Sequence, residues 1–424
     1  MGPKEKVQNF RTRKVVWVGF LQGLFLTAYI QILRHLAKRG HEVSLVTVHS
    51  KKKTPFQREL SDIRLISIPL RYLPFISLAA YIVVLLLVLP FLVLYLKPDF
   101  VVVSEDGTAL GLCSTLLLPR SVRPKIVLDI RSTPVDIHGL RGSLTDLFFN
   151  TSVRMASKLF DGMTIVTRSM KREICDKFRI NPESFGVWTN GVPTDLFDPR
   201  KHAAKATELR RTTGLDGKFV IIYHGAFSHE RGIIETVHSI SLLRDKCPDV
   251  VLFLLGIGQV GERTRGSRAT LSELNSLVKK ERLQDRVLIH EPVNYEDVPA
   301  YIMMCDVGIV PLPDIPDWRN QSALKLLEYL AMEKTVIATD IPSNREVIGN
   351  SKCGIYASSS EPKEIGRAIL YAIANREKIS EWGRYGRRIA EEKYSYDKVA
   401  GDLEGYLLSL GDYSNGKCNR PPLI

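Results

Sequence analysis

The sequence predicts an α/β protein made of two doubly wound parallel-sheet domains that face each other across a cleft. Three observations predict it. Short β-rich apolar runs alternate with helical stretches along most of the chain. The alternation stops in a polar stretch near residue 200 and then restarts. The 424 residues suffice for two cores, since a single domain usually holds ~100–200 residues.

The first run is Lys14–Val18, followed by Gly19, Gln22 and Gly23. Leu26, Ile30, Leu33 and Leu36 then recur at helical spacing, and Gly40 stands where a helix stops. Val43–Val48 is the next strand. Strand, glycine-bearing loop, helix and strand make a βαβ unit. The runs Asp99–Glu105, Lys125–Ile130 and Gly162–Thr167 continue the pattern, and Gly186–Val192 follows. Pro193–Thr213 is polar, and the domain boundary is placed there, giving domains 1–198 and 199–390. The strands Phe219–Gly225, Asp249–Gly256, Asp285–His290, Val307–Leu312 and Thr335–Asp340 build the second domain. Glu361–Leu410 reads as helix, and segment 391–424 is expected to pack back on the first domain.

Pro74–Leu96 breaks the pattern: 23 residues without a charge, flanked by Arg71 and Lys97. Its length fits a membrane span. It lies between strands of one sheet, however, and those strands cannot sit on opposite sides of a bilayer. The segment is therefore expected to touch one leaflet, bending near Pro90, or to be a buried helix. Together with the basic residues Lys4, Lys6, Arg11, Arg13 and Lys14 it predicts a protein held at the inner face of a membrane.

The formal charge is +13, which suits polyanions, anionic membranes or phosphate-bearing ligands. Nucleic acid ranks low, because no zinc-finger spacing and no basic–aromatic interleaving is present. Cys113, Cys175, Cys247, Cys305, Cys353 and Cys418 contain no C-x-x-C pair, which points to reduced thiols in the cytoplasm. The N-terminal stretch lacks a compact apolar region, so secretion is not expected.

Ligands of doubly wound sheets bind at the carboxyl ends of the strands. In the second half four such ends carry suggestive residues. His224–Gly232 follows a strand, with Gly225 permitting close backbone approach and Arg231 beside a helix N-terminus, where free N–H groups favour anions. Leu255–Gln259 contributes Gly256, and Val310–Pro313 contributes Pro311. The fourth is a helix read from Asn320 onward, on which Ser322, Lys325 and Glu328 fall at i, i+3 steps, apart from an apolar stripe of Ala323, Leu327, Leu330 and Ala331. An exposed Lys–Glu pair would look the same on that helix alone. Four strand ends in one half together point to a nucleotide.

These residues resemble the retaining glycosyltransferases of family 4, of GT-B fold, in which two Rossmann-like domains face each other. The resemblance rests on Leu36–Thr47, on Lys97–Glu105, on Thr189–Pro199 with its Asn190-Gly191-Val192 turn, on Asp306–Pro313 and on Ala323–Ile348, in that order. It implies transfer of a sugar from a nucleotide-sugar donor to a lipid-linked or glycan acceptor. Glu328 matches the second glutamate of the family's Glu-x7-Glu motif, which holds the ribose; the first glutamate's place is Asn320. Arg231 matches the basic residue that grips the diphosphate, and the family's other arginine falls at Ala226. Ser322 and Lys325 match a variant of the motif, Glu333 replaces the usual glycine, and Gly19 and Gly23 match the loop below the donor phosphates. Arg131 falls near a position often held by histidine or arginine. Asn320, Ala226 and Glu333 are departures.

The resemblance implies catalysis by Arg231, Lys325 and Arg131, with cations and helix N-termini stabilising the leaving diphosphate; no metal and no cofactor are expected. The diphosphate itself takes the acceptor's proton, so no separate base is required. Asp129 and His138 are the alternative titratable groups. An epimerase of the same fold and a non-catalytic nucleotide-sugar-binding subunit are the competing functions. Replacement of Glu328 by Ala is expected to weaken donor binding and to leave the fold intact.

Overall fold

The computed structural model describes residues 12–20, 28–48, 61–70, 76–135, 139–256, 265–350 and 352–412. Gly23, His138, Arg71, Pro74 and the basic residues Lys4, Lys6 and Arg11 lie outside them. The chain forms two compact units. Of the described residues, the first holds those before Thr167, Lys171–Trp188 and those from Ala400 to Asp412; the second holds those within Thr167–Met170 and Thr189–Val399.

The polar stretch taken for a linker is part of the second unit. Asp198 caps a helix over Pro199–Thr212, its carboxylate accepting from the Arg200 amide at 3.1 Å. The Arg200 side chain also binds this carboxylate and holds its pKa down to about 2. Upstream, the Val192 amide donates to the Tyr394 carbonyl at 2.8 Å, and buried Arg387 donates to the carbonyls of Phe197 and Thr194. The second unit begins at Thr189 rather than at residue 199, because these backbone hydrogen bonds tie Val192–Phe197 to it.

The first unit contains seven strands: β1 (Lys14–Val18), β2 (Glu42–Val48), β3 (Ile63–Ile68), β4 (Phe100–Ser104), β5 (Lys125–Ile130), β6 (Gly162–Ile165) and β7 (Phe185–Val187). They form one parallel sheet in the order β3-β2-β1-β4-β5-β6-β7. The second unit holds β8 (Phe219–Gly225), β9 (Val250–Gly256), β10 (Val287–His290), β11 (Val307–Val310), β12 (Thr335–Thr339) and β13 (Gly354–Ala357). These are also all parallel, in the order β10-β9-β8-β11-β12-β13. Strand order reverses between β1 and β4 and between β8 and β11. Those are the switch points at which doubly wound sheets bind ligands. Central strands such as β9 are apolar and buried along their whole length, as strands covered on both faces must be. The edge strands β3, β7 and β13 escape the sequence reading. Two are only three and four residues long, and β3 alternates between sheltered and exposed positions among polar loops.

Ile76–Leu96 is one continuous helix with Pro90 inside it, and it is long and apolar enough to cross a membrane by length and composition. It is neither wholly buried nor a re-entrant hairpin. Tyr81, Ile82, Leu85, Leu89 and Val93 form its buried face, and the Tyr81 hydroxyl donates to the Val46 carbonyl at 3.0 Å. The helix over Tyr396–Asp412 contributes its later part to the first unit. There the Glu404 carboxylate accepts from Arg39 and His41, and the Tyr406 hydroxyl donates to the Ser184 carbonyl at 2.8 Å.

The helix Leu324–Ala331 ends in a 6→1 and 5→2 pair of hydrogen bonds, Lys334 N–H to Tyr329 and Glu333 N–H to Leu330. This closure needs a left-handed residue, and Glu333 supplies it with φ of 56°. A side chain there costs about 1–2 kcal/mol, partly offset in glycine by the entropy of the unfolded chain. Glu333→Gly is therefore expected to stabilise the protein by up to about 1 kcal/mol, visible as a melting point raised by a few degrees. An unchanged or lower melting point would show that the turn carries no such strain.

Candidate functional site

In the second unit the switch point is held open by a single side chain. β8 pairs with β11 only at Ile221 and Ile222. Beyond that the strands lack ladder partners for each other, and the Tyr329 hydroxyl substitutes for them: it donates to the Ile222 carbonyl at 3.0 Å and accepts from the His224 amide at 3.1 Å. Its ring lies against Gly308, where a Cβ would come within 2.4 Å of it. The helix carrying Lys325 and Glu328 is thereby fixed beneath the ends of β8 and β11.

Glu328 is buried, not on an exposed face. One carboxylate oxygen accepts from His224 Nε2 at 2.6 Å and the other from the Tyr295 hydroxyl at 2.8 Å. With Nε2–H donating to a carboxylate, Nδ1 of the neutral ring carries the lone pair. Burial pushes the pKa of His224 down, and its hydrogen bond to the Glu328 carboxylate opposes that shift only partly. Each Glu328 oxygen keeps one lone pair for a further donor.

The Lys325 ammonium is buried and has no hydrogen-bond partner among the described residues. It sits 3.6 Å from the centre of the Tyr223 ring, and a Cβ built on Gly225 would lie 3.3 Å from it. Gly225 has φ of 122°, which with this crowding explains the glycine. Burial pushes the Lys325 pKa well down, and the Arg231 charge pushes the same way against the opposing Glu328 carboxylate. Gly256 lies beside Gly225 in the β8–β9 register.

Arg231 closes a short 3₁₀ turn, His229–Arg231, before the helix Ile233–Leu243, and its guanidinium lies 4.4 Å from the Trp318 ring centre. Gly232, the next residue, has φ of 72°, and a Cβ on it would fall 1.9 Å from the Pro311 carbonyl oxygen. That contact packs the two strand ends together. Gly232→Ala must push the Arg231 turn and Pro311 apart. The expected cost is about 2–4 kcal/mol in a melt, with loss of nucleoside diphosphate binding. A variant that melts and binds like the parent would show that this contact does not set the turn.

The structure thus brings Gly225, Gly256, Arg231, Pro311, Lys325 and Glu328 together at one switch point. It corrects the predicted helix: Asn320 and Ser322 precede it, and the helix begins at Leu324 after an extended Ala323. The reason is polar anchoring. The Asn320 carbonyl accepts from the Thr167 hydroxyl at 2.8 Å, and the Ser322 carbonyl accepts from Asn190 Nδ2 at 3.1 Å, which keeps both carbonyls out of a helical ladder. Ser322 is not on one helical stripe with Lys325 and Glu328. Tyr295, His224, Tyr223, Gly232 and Trp318 are the members that sequence reasoning missed; Gly232, following a basic residue at a strand-to-helix turn, carried the one available signal.

In the first unit Gly19 follows β1, its amide donating to Val46 at 3.1 Å and its carbonyl accepting from Tyr81. Arg131, at the end of β5, stacks 3.6 Å from the Trp188 ring centre and donates to the Trp188 carbonyl at 2.7 Å. Glu105, at the end of β4, accepts from the amides of Arg131 and Ser132 and from the Tyr29 hydroxyl. Asp129 accepts from Thr164 and from Trp188 Nε1 at 2.6 and 2.8 Å. Burial and the Asp129 charge push Glu105 up to about 8; burial likewise pushes Asp129 up to about 6, with Arg131 opposing. Asp129 therefore organises the strand ends around Arg131 and Trp188, and Glu105 fixes the Arg131 turn. Glu105 was not foreseen.

Comparison with known proteins places these sites in a family context. The model of glycosyl transferases group 1 matches residues 205–389, and that of glycosyltransferase family 4 matches residues 27–196. Spore coat protein SA of Bacillus subtilis (strain 168) is 26% identical over 223 residues, covering 50% of this chain and 56% of that protein. The chain spans about half the length of that and the next curated relatives it matches. The capsular polysaccharide biosynthesis glycosyltransferase CapM of Staphylococcus aureus is 20% identical, covering 91% of this chain and 94% of that one. Among solved structures, Anabaena Alr3699/HepE in complex with UDP superposes with a TM-score of 0.71 at 14% identity, covering 93% and 100% of the two chains.

Proposed function

The chain belongs to the glycosyl transferases of group 1, with the two Rossmann-like units of the GT-B fold, and from that premise we propose that it moves a sugar, with retention, from a nucleotide-sugar donor to a lipid-linked or glycan acceptor at the inner face of a membrane. The observation that carries this reading is the buried ammonium of Lys325, without a hydrogen-bond partner among the described residues, beside Arg231 and Glu328 at the β8–β11 switch point. A buried ammonium whose N–H donors lack an acceptor is costly even over an aromatic ring, and a diphosphate is a ligand that would satisfy it.

In this reading the donor's diphosphate lies over Gly225 and Gly256, where the backbone is bare. Arg231, Lys325 and the N-terminus of the helix Ile233–Leu243 take up the charge that develops as the sugar–phosphate bond breaks. Glu328 accepts from the ribose hydroxyls, with His224 and Tyr295 holding its carboxylate in place. The leaving diphosphate takes the acceptor's proton. Metal is not required because side-chain cations occupy its role, so turnover is expected to persist in a chelator.

Incubation of the protein with labelled nucleotide sugars and a membrane lipid extract tests the reading. Label in lipid or glycan with the anomeric configuration kept supports it. Isomerised nucleotide sugar alone would make the chain an epimerase, and binding without either would make it a binding subunit.

A further inference from the structure

The helix Ile76–Leu96 has two apolar faces, and among the described residues the fold covers only one. Tyr81, Leu85, Leu89 and Val93, four residues apart, are turned into the first unit. The packing is close: a Cβ built on Gly111, in the 3₁₀ segment Thr108–Leu117, would lie 2.6 Å from Leu85. On the other side Val83, Leu87, Phe91 and Tyr95 recur at the same interval, with Leu87 66%, Phe91 73% and Tyr95 74% exposed. A stripe of large apolar residues this exposed has no role in the unit's own core.

The topology places charge at one end of that stripe. The helix links β3 to β4 and the 3₁₀ segment links β4 to β5, all parallel, so both run back from the carboxyl to the amino end of the sheet. The chain leaves the 3₁₀ segment through Leu117, 86% exposed, at the same amino end of the sheet as Tyr95 and Lys97. Arg120 and Arg123 follow directly. Acids stand at this end as well: Asp99 is engaged by Arg13 at 3.1 Å and by the Lys14 amide, Glu42 pairs with Lys14 at 3.2 Å, and Asp62 lines the same groove as Tyr95 beside Arg64. Along the stripe the order is aliphatic, aromatic, cationic. That is the order of a leaflet from acyl chain through interface to phosphate.

We propose that this face, from Val83 to Tyr95 with Leu117, docks into one leaflet of a bilayer rich in anionic lipid, with Lys97, Arg120 and Arg123 on the headgroup phosphates. This deepens the membrane part of the function proposed above. The helix does not cross, because β3 and β4 at its two ends belong to one sheet and the Tyr81 hydroxyl ties it to the Gly19 and Val46 carbonyls.

Vesicle flotation tests the proposal. The full chain is expected to float with phosphatidylglycerol–phosphatidylcholine vesicles and to bind about tenfold less to phosphatidylcholine alone, with the difference shrinking in salt. The double variant Leu87→Ser, Phe91→Ser is expected to stay with the soluble fraction while keeping the parent's melting point and its nucleoside diphosphate affinity. Lys97→Glu with Arg120→Glu, surface changes that leave the core untouched, are expected to abolish the preference for anionic vesicles. Parent protein that fails to float overturns the proposal. So does sedimentation that shows a dimer broken by the serine variant, which would assign the face to a second copy. Flotation without sugar transfer would leave docking standing and sink the proposed reaction; transfer to a soluble acceptor without flotation would do the reverse.

Discussion

Lys325→Met is expected to raise the melting point while lowering kcat/KM by about 10²–10³-fold, the range found when one preorganised charge stabiliser is removed. The opposed signs follow from one fact. In the free protein the Lys325 ammonium is buried over Tyr223 without a hydrogen-bond partner among the described residues, and Arg231 repels it. Methionine keeps the chain length and removes the unsolvated charge, which stabilises by about 1–3 kcal/mol. The same charge is what the leaving diphosphate would need.

The pH dependence has a definite sign. The folded pKa of Lys325 lies well below its ordinary 10.5, so between those values the unfolded chain holds more protons. Stability from this group therefore rises with pH through that window, and the methionine variant lacks the rise. A bound anion favours the charged form, so nucleoside diphosphate binding takes up protons when the free lysine is neutral and weakens as pH rises through its free-state pKa. Calorimetry in buffers of different ionisation enthalpy reads this uptake. A methionine variant that turns over like the parent, or melts lower, would remove Lys325 from the site.

Glu328→Gln is expected to weaken nucleoside diphosphate binding by about 10–100-fold with little change in melting point, since each charged hydrogen bond contributes about 1.5–3 kcal/mol. Glu328→Ala is the poorer test, and the expectation that it spares the fold does not hold. Glu328 is 6% exposed, and its carboxylate is the acceptor for both His224 and Tyr295. Truncation leaves two buried donors without a partner, about 1–3 kcal/mol each. The expected pattern is lowered melting with Ala, retained melting with Gln, and weakened binding with both. Equal affinity of Gln and parent in a titration would show that the carboxylate's charge has no part in binding.

The two sheets were legible because burial on both faces writes an apolar run for each central strand, and the turns between them write glycines. Gly225, Gly256 and Arg231 were legible for the same reason: a strand end, a bare backbone and a cation fall within a few residues of one another. Edge strands β3, β7 and β13 were not, since a short or half-covered strand needs few apolar residues. The helix start at Leu324 was hidden because the carbonyls before it are taken by Thr167 and Asn190, partners about 130–150 positions away that no local periodicity records. Glu328 shows the same limit. At i, i+3 from a lysine it reads as half of an exposed ion pair; the tertiary structure buries it between His224 on β8 and Tyr295 beyond β10. The sequence by itself determined which residues end the strands and that one helix is apolar all round. Only the tertiary structure decided which buried cation lacks a hydrogen-bond acceptor and which face of that helix is exposed among the described residues, because both depend on what packs beside a residue rather than on what precedes it.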